Sequence, residues 1–161
     1  MRNLIVLFGI CIFAAVAYSD IRTRQIPNEL VIGILALAAF RIALSGDPSA
    51  AIYTLAASTA LFVATFLLFW RGLLGGGDVK LMVATGFLIG YHDLFQFLFV
   101  MSVSGALVAL AVLARNKFRV SPASAPPVEH PEPPARLTVP YGVAIAAAGI
   151  VTLLVQSFSP G

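Results

Sequence analysis

Apolar residues fall in six long, nearly unbroken runs, at about Leu4–Ser19, Leu30–Leu44, Ala50–Trp70, Val79–Tyr91, Leu94–Ala114 and Val139–Phe158. Neither the two-residue alternation of a half-buried strand nor the one-sided stripe of a surface helix organises them. A helix that is apolar all round belongs in lipid or in a core. A span needs about 20 apolar residues, with about 17 at the lower end. The third, fifth and sixth runs meet that length. The second and fourth are short at about 1.5 Å of rise per residue, so each must start deeper, thin the bilayer or sit inside the bundle. The pattern predicts an all-α membrane protein: a polytopic bundle of about six transmembrane helices forming one domain over residues 1–161. The first run has a second reading, because Arg2, an apolar stretch and Ala15-Val16-Ala17 also fit a secretory signal. Arg22 and Arg24 directly after it, and five further runs, favour a retained helix.

Charge sets the expected orientation. The loops after the first, third and fifth runs hold Arg22, Arg24, Arg71, Lys80, Arg115, Lys117, Arg119 and Arg136, eight of the ten basic residues. The opposite side has Arg2, with Arg41 snorkelling to it from the end of the second helix. The positive-inside rule then places both termini outside and loops 1, 3 and 5 in the cytoplasm. Residues 115–138 form the longest of these loops, expected to be flexible. Six prolines crowd into its Ser121–Ala135 segment, which favours polyproline II or disorder over helix.

Composition narrows the classes further. The 161 residues are 60% hydrophobic and 11% charged, whereas a soluble domain carries about 25% charged residues. The net charge of +3 is spread between helix ends and makes no basic groove, so nucleic acid is not an expected partner. Cys11 is the single cysteine, which excludes an internal disulfide and a four-cysteine zinc site. His92 and His130 have no partner at ligand spacing. No metal or cofactor is expected; lipid surrounds the chain.

Two carboxylates stand out, because ionisable groups at membrane depth are costly. Asp20 ends the first helix and Asp78 begins the fourth, and the topology puts both at the cytoplasmic edge. Asp78 follows Gly75-Gly76-Gly77, a run that permits close approach of another segment. It is expected to cap the fourth helix, as Asn28 is expected to cap the second after Pro27. Each aspartate alone reads as an ordinary interface residue; the pair, with the glycines, reads as a site.

Gly75-Gly76-Gly77-Asp78-Val79-Lys80 resembles the GxGD motif of membrane aspartyl proteases. Asp20-Ile21-Arg22-Thr23-Arg24-Gln25-Ile26-Pro27-Asn28 is similar to the first-aspartate loop of the type IV prepilin leader peptidases, and Val139-Pro140-Tyr141-Gly142-Val143-Ala144 to their last-helix signature. The resemblance implies an endopeptidase of the cytoplasmic membrane with Asp20 and Asp78 as its catalytic pair. Its substrates would be prepilins or pilin-like proteins, cut at the cytoplasmic edge between a short basic leader and an apolar helix. Gly75, Gly76, Gly77, Lys80, Arg22, Arg24, Pro27, Asn28, Pro140, Tyr141 and Gly142 would shape the site or hold substrate. Longer family members have an additional region with paired cysteines and also methylate the new N-terminus. This sequence looks like the short form found with tight-adherence (Flp-type) pili, for which methyl transfer is not expected.

Two nearby carboxylates share a proton, so one can accept a proton from water while the other polarises a carbonyl. Helix dipoles favour Asp78, at a helix N-terminus, as the base and Asp20, at a C-terminus, as the acid. Two other classes compete: a non-catalytic component of a pilus or secretion assembly, and a small ion- or proton-coupled transporter. The transporter predicts carboxylates near mid-membrane, and the assembly component tolerates loss of either aspartate.

Overall fold

The computed structural model describes residues 2–119 and 141–158, with side chains over 3–114 and 141–158. Six helices follow in order: α1 (Arg2–Thr23), α2 (Asn28–Ser45), α3 (Pro48–Trp70), α4 (Gly76–Ile89), α5 (Leu94–Arg119) and α6 (Tyr141–Phe158). There is no strand among the described residues. The six apolar runs and the six helices correspond one to one. Five of the helices are long and apolar enough to cross a membrane, and the chain is a multi-pass membrane protein. α5 continues to Arg119, past the end of its apolar run. The proline-rich Ser121–Ala135 segment, most of the expected 115–138 loop, and Pro140 lie outside the described residues.

α4 is the exception to spanning length. Its 14 residues measure about 21 Å at 1.5 Å per residue, short of a hydrocarbon core of about 30 Å. It does not need to meet lipid on every side, because α2, α3 and α6 pack around it. Val79, Leu81, Met82, Ala84, Thr85, Gly86, Leu88 and Ile89 are all buried. Of the three ways to seat a short helix, the bundle interior is the one adopted here. α2, with 18 residues, lies at the periphery and reaches the lower limit of spanning length.

α6 is the second central element and packs on α1, α4 and α5. Its small residues permit this. An added Cβ at Gly149 would stand 2.6 Å from the Phe13 ring of α1, so the two helices meet at a distance that only glycine allows.

The end of the bundle remote from Asp20 is closed by polar groups. Gly90 ends α4 with φ 87°, and the last carbonyls of α4 need donors. Arg41 supplies one, its Nη1 donating to the Leu88 carbonyl. Gln156 Nε2 supplies another, donating to the Ile89 carbonyl at 2.9 Å and to Asp93 Oδ2 at 2.6 Å. Arg41 therefore turns into the bundle and caps α4, where the sequence reading had it snorkelling to the surface. A carbonyl at a helix end with no intrahelical donor is satisfied by whatever donor can reach it, and the Arg41 guanidinium does.

Candidate active site

Both aspartates sit at the other end of the bundle. Asp20 lies in the last turn of α1, which runs on to Thr23. The turn that follows is fixed locally. Arg24 adopts φ 53° and donates its N–H to the Asp20 carbonyl at 3.0 Å, the left-handed C-terminal closure that glycine usually supplies. Ser19 Oγ donates to the Gln25 carbonyl at 2.9 Å, and Thr23 Oγ1 to the Ser19 carbonyl at 2.9 Å. These two hydroxyls were not singled out from sequence; a Ser and a Thr four residues apart at a helix end are the signal that was available.

Arg22 and Arg24 are exposed. Arg22 donates to the Tyr18 hydroxyl at 2.8 Å and lies over its ring. Arg24 is close enough for its charge to reach Asp20. Pro27, not Asn28, occupies the N-cap position of α2 and makes no side-chain cap. Asn28 is the first helical residue, and its Oδ1 faces Lys80 Nζ at 3.5 Å. The expected Asn28 cap is absent because Pro27, with an extended backbone (φ −59°, ψ 136°), already stands at the N-cap and Asn28 falls inside the first turn. Lys80 thus points toward the α2 start.

The glycine run begins α4. Gly75 is its N-cap residue, and Asp78 stands in the first turn instead of capping it. The Asp78 carboxylate folds back over Gly75, whose added Cβ would meet Oδ2 at 2.9 Å, and takes a hydrogen bond from its backbone. This is half of a capping box, with glycine in place of Ser or Thr. Gly77 receives Ile26 from the first-aspartate turn, at 3.6 Å from where a Cβ would be. Gly76 faces Phe69. Gly76 thus faces α3 and Gly77 the α1–α2 turn at distances where an added Cβ would make ordinary contact, and Gly75 is the one of the three with no room for a side chain, because Asp78 fills it.

α1 and α4 do not form one of the main packed pairs; α6 packs on both. The first turn of α6 is where the two carboxylates come together. Asp20 is 5% exposed, and its Oδ2 accepts the Val143 N–H at 3.0 Å. Gly142 lies so close that a Cβ there would stand 2.8 Å from the Asp20 Cγ. Tyr141, one residue earlier, shares a pocket with Asp78. Asp20 and Asp78 are near enough for their charges to interact, although 58 positions separate them in the chain.

One expectation is weakened by this arrangement. Asp20 was assigned the shared proton because it ends α1, at the negative end of a helix dipole. It also faces the N-terminus of α6, the positive end. Asp20 therefore meets the negative end of α1 and the positive end of α6 together, and the dipole contrast with Asp78 is reduced.

Asp78 opens on a pocket of about 350 Å³ between α3, α4, α5 and α6. Apart from Asp78, Ser102 and Tyr141 its lining is apolar.

The type IV leader peptidase family model matches residues 7–110, which include Asp20, the glycine run and Asp78 but not α6. The chain is 31% identical over 146 residues to the "Prepilin leader peptidase/N-methyltransferase" of Bacillus subtilis (strain 168), covering 90% of this chain and 53% of that protein. It is 27% identical over 154 residues to a protein of the same name from Burkholderia pseudomallei (strain 1026b), covering 91% of this chain and 45% of the relative. The chain thus spans about half the length of the curated relatives it matches. No solved structure matches it significantly. On the match of the family model, the chain belongs to the type IV leader peptidase family.

Proposed function

We propose that the chain is a prepilin peptidase, an aspartyl endopeptidase that removes the short leader of a type IV prepilin or pilin-like protein at the cytoplasmic face of the inner membrane. The observation that carries this reading is the first turn of α6, where the Val143 N–H donates to Asp20 and Tyr141 lines the same pocket as Asp78. Two carboxylates so placed act as a pair: the ionised one takes a proton from water, and the water oxygen attacks the scissile carbonyl. The protonated partner donates to that carbonyl oxygen, and a proton then passes to the departing amine. Asp20 and Asp78 are the proposed catalytic residues, with Gly142, Val143 and Tyr141 positioning them from α6. Gly75 leaves room for the Asp78 carboxylate to fold back, Gly76 and Gly77 line the packed start of α4, and Arg22, Arg24, Pro27 and Asn28 shape the first-aspartate turn. The proposed substrates include the pilin-like proteins of tight-adherence (Flp-type) pili.

An ion relay would string carboxylates through the membrane, whereas these two lie together at one end of the bundle. Co-expression with a prepilin-like substrate tests the proposal. The parent chain should shorten the substrate, and Asp20→Asn and Asp78→Asn should each leave it full length at normal membrane abundance. Cleavage by either variant at the parent rate rejects the reading.

A further inference from the structure

α1 carries Asp20 and α4 carries Asp78, yet these two helices are not among the main packed pairs. Besides α6, the turn of residues 24–27 joins them: it leaves α1 just past Asp20 and meets the first turn of α4. The start of α4 presents two sides. Asp78 and Met82, four positions apart, face the pocket. Gly77 and Lys80, three positions apart, face the turn, Gly77 toward Ile26 and Lys80 Nζ toward Asn28 Oδ1 at 3.5 Å.

The turn is stiff enough to carry position from one aspartate to the other. The Arg24 N–H is tied to the Asp20 carbonyl at 3.0 Å, and Ser19 Oγ holds the Gln25 carbonyl at 2.9 Å. Pro27 then fixes the next φ. Residues 21–25 and 27–29 are exposed, whereas Ile26 between them is half-buried and packed against the core. Its Cβ and Cδ1 each lie 3.6 Å from where a Gly77 Cβ would stand, and its Cγ1 lies 3.8 Å away. The Lys80–Asn28 contact is exposed and long for a hydrogen bond, so it adds direction and little energy. The apolar contact is what seats the turn.

Resting on the peptidase reading, we propose that Ile26 is a positioning residue: seated on Gly77, it holds the first-aspartate turn against α4 and so sets where Asp20 stands relative to Asp78. Asp20 is then fixed from two sides, by the Val143 N–H of α6 and through the turn. A displacement of about 1 Å at a reacting group can cost about a hundredfold in rate. Ile26 therefore acts on the chemical step and leaves substrate affinity alone.

Two arms test this with purified protein and a prepilin-like substrate in vesicles. In the first, Ile26→Ala removes Cγ1 and Cδ1 from the contact, while Ile26→Val keeps Cγ1. Ile26→Ala should lower kcat about tenfold or more with KM within about threefold of the parent, and Ile26→Val should stay near the parent. Leu37→Ala is the packing control, since Leu37 is also half-buried against the core but lies on α2 beside Gly9. It should lower the unfolding temperature while its folded fraction keeps the parent kcat. In the second arm, Ile26→Cys and Gly77→Cys are combined in a Cys11→Ser background. Their Cβ atoms would stand 3.6 Å apart, within the disulfide range of about 3.5–4.5 Å. The disulfide should form, and the oxidised protein should cleave at no less than the rate of its own reduced form. If Ile26→Ala fails to enter the membrane, this second arm decides alone. A parent-like kcat in Ile26→Ala, a loss confined to KM, an equal loss of kcat in Leu37→Ala, or a disulfide that does not form would overturn the assignment. So would an oxidised protein that is inactive until reduced, because the turn would then have to leave α4 during cleavage. A parent chain that cleaves no substrate would instead refute the peptidase reading itself.

Discussion

Gly142→Ala is the most informative small change available. The added methyl would stand 2.8 Å from both Cγ and Oδ2 of Asp20 and 3.1 Å from its Cβ, closer than the non-bonded contact of about 3.5–4.0 Å at which carbon pairs are stable. Asp20 is held on the other side by α1, which packs along α6. The carboxylate must rotate, or the first turn of α6 must retreat. Either movement breaks the 3.0 Å hydrogen bond from the Val143 N–H. A hydrogen bond to a charged group contributes about 1.5–3 kcal/mol. If that bond holds Asp20 in its working position, its loss slows cleavage by about 10- to 150-fold at 1.36 kcal/mol per factor of ten. The assay is the cleavage rate of a prepilin-like substrate by purified protein in vesicles, alongside the unfolding temperature in detergent. Gly149→Ala is the control. Its methyl would meet the Phe13 ring at 2.6 Å, deep in the α1–α6 contact, so it should lower the unfolding temperature more than Gly142→Ala does, while its folded fraction cleaves nearer the parent rate. A Gly142→Ala variant within threefold of the parent rate would refute the role given to the α6 start.

Arg41→Leu strips a donor from the Leu88 carbonyl, and an unsatisfied buried acceptor costs about 1–3 kcal/mol. The unfolding temperature should fall while the folded fraction still cleaves; an unchanged melt would remove Arg41 from the α4 cap. Asp47 caps α3 through Ser49 and Ala50, and the Ser49 hydroxyl, first among its partners, holds its carboxyl below the usual carboxylate range. A depressed pKa adds stability that is present above the unfolded value and lost as pH falls through the folded one. Asp47→Ala should therefore melt lower than the parent at pH 7, and the two melts should converge as the pH drops below the carboxylate range. For orientation, Ser45→Cys in a Cys11→Ser background should react with an impermeant thiol reagent in intact cells, and Leu73→Cys only after permeabilisation. The reverse pattern would invert the topology.

The helices were legible because a continuous apolar run is a strong signal, and their observed ends fall within a few residues of the polar breaks. That same uniformity hides how the helices pack. α4 and α3 are comparably apolar, and nothing in the pattern marks α4 as enclosed except its length. Arg41 was misplaced for a related reason: the carbonyls it serves belong to a helix 47 positions away, and adjacency of helices cannot be read from their sequences. Asp20 and Asp78 were found by charge and by their glycine and proline neighbours. The role of Gly142 against Asp20 depends on α6 reaching past α5 to α1, a long-range contact with no local signature. The dipole argument for the proton weakens at the same point, since it counts only the helix that bears each aspartate.

The central claim is that Asp20 and Asp78 work as one catalytic unit. The most direct measurement is a double-mutant cycle on single-turnover cleavage, with purified parent, Asp20→Asn, Asp78→Asn and the double variant in vesicles. The account predicts that each single substitution lowers the rate to the background of the double variant, because residues that act as a unit are strongly non-additive. Substantial cleavage in either single variant, or losses that multiply in the double, would contradict it.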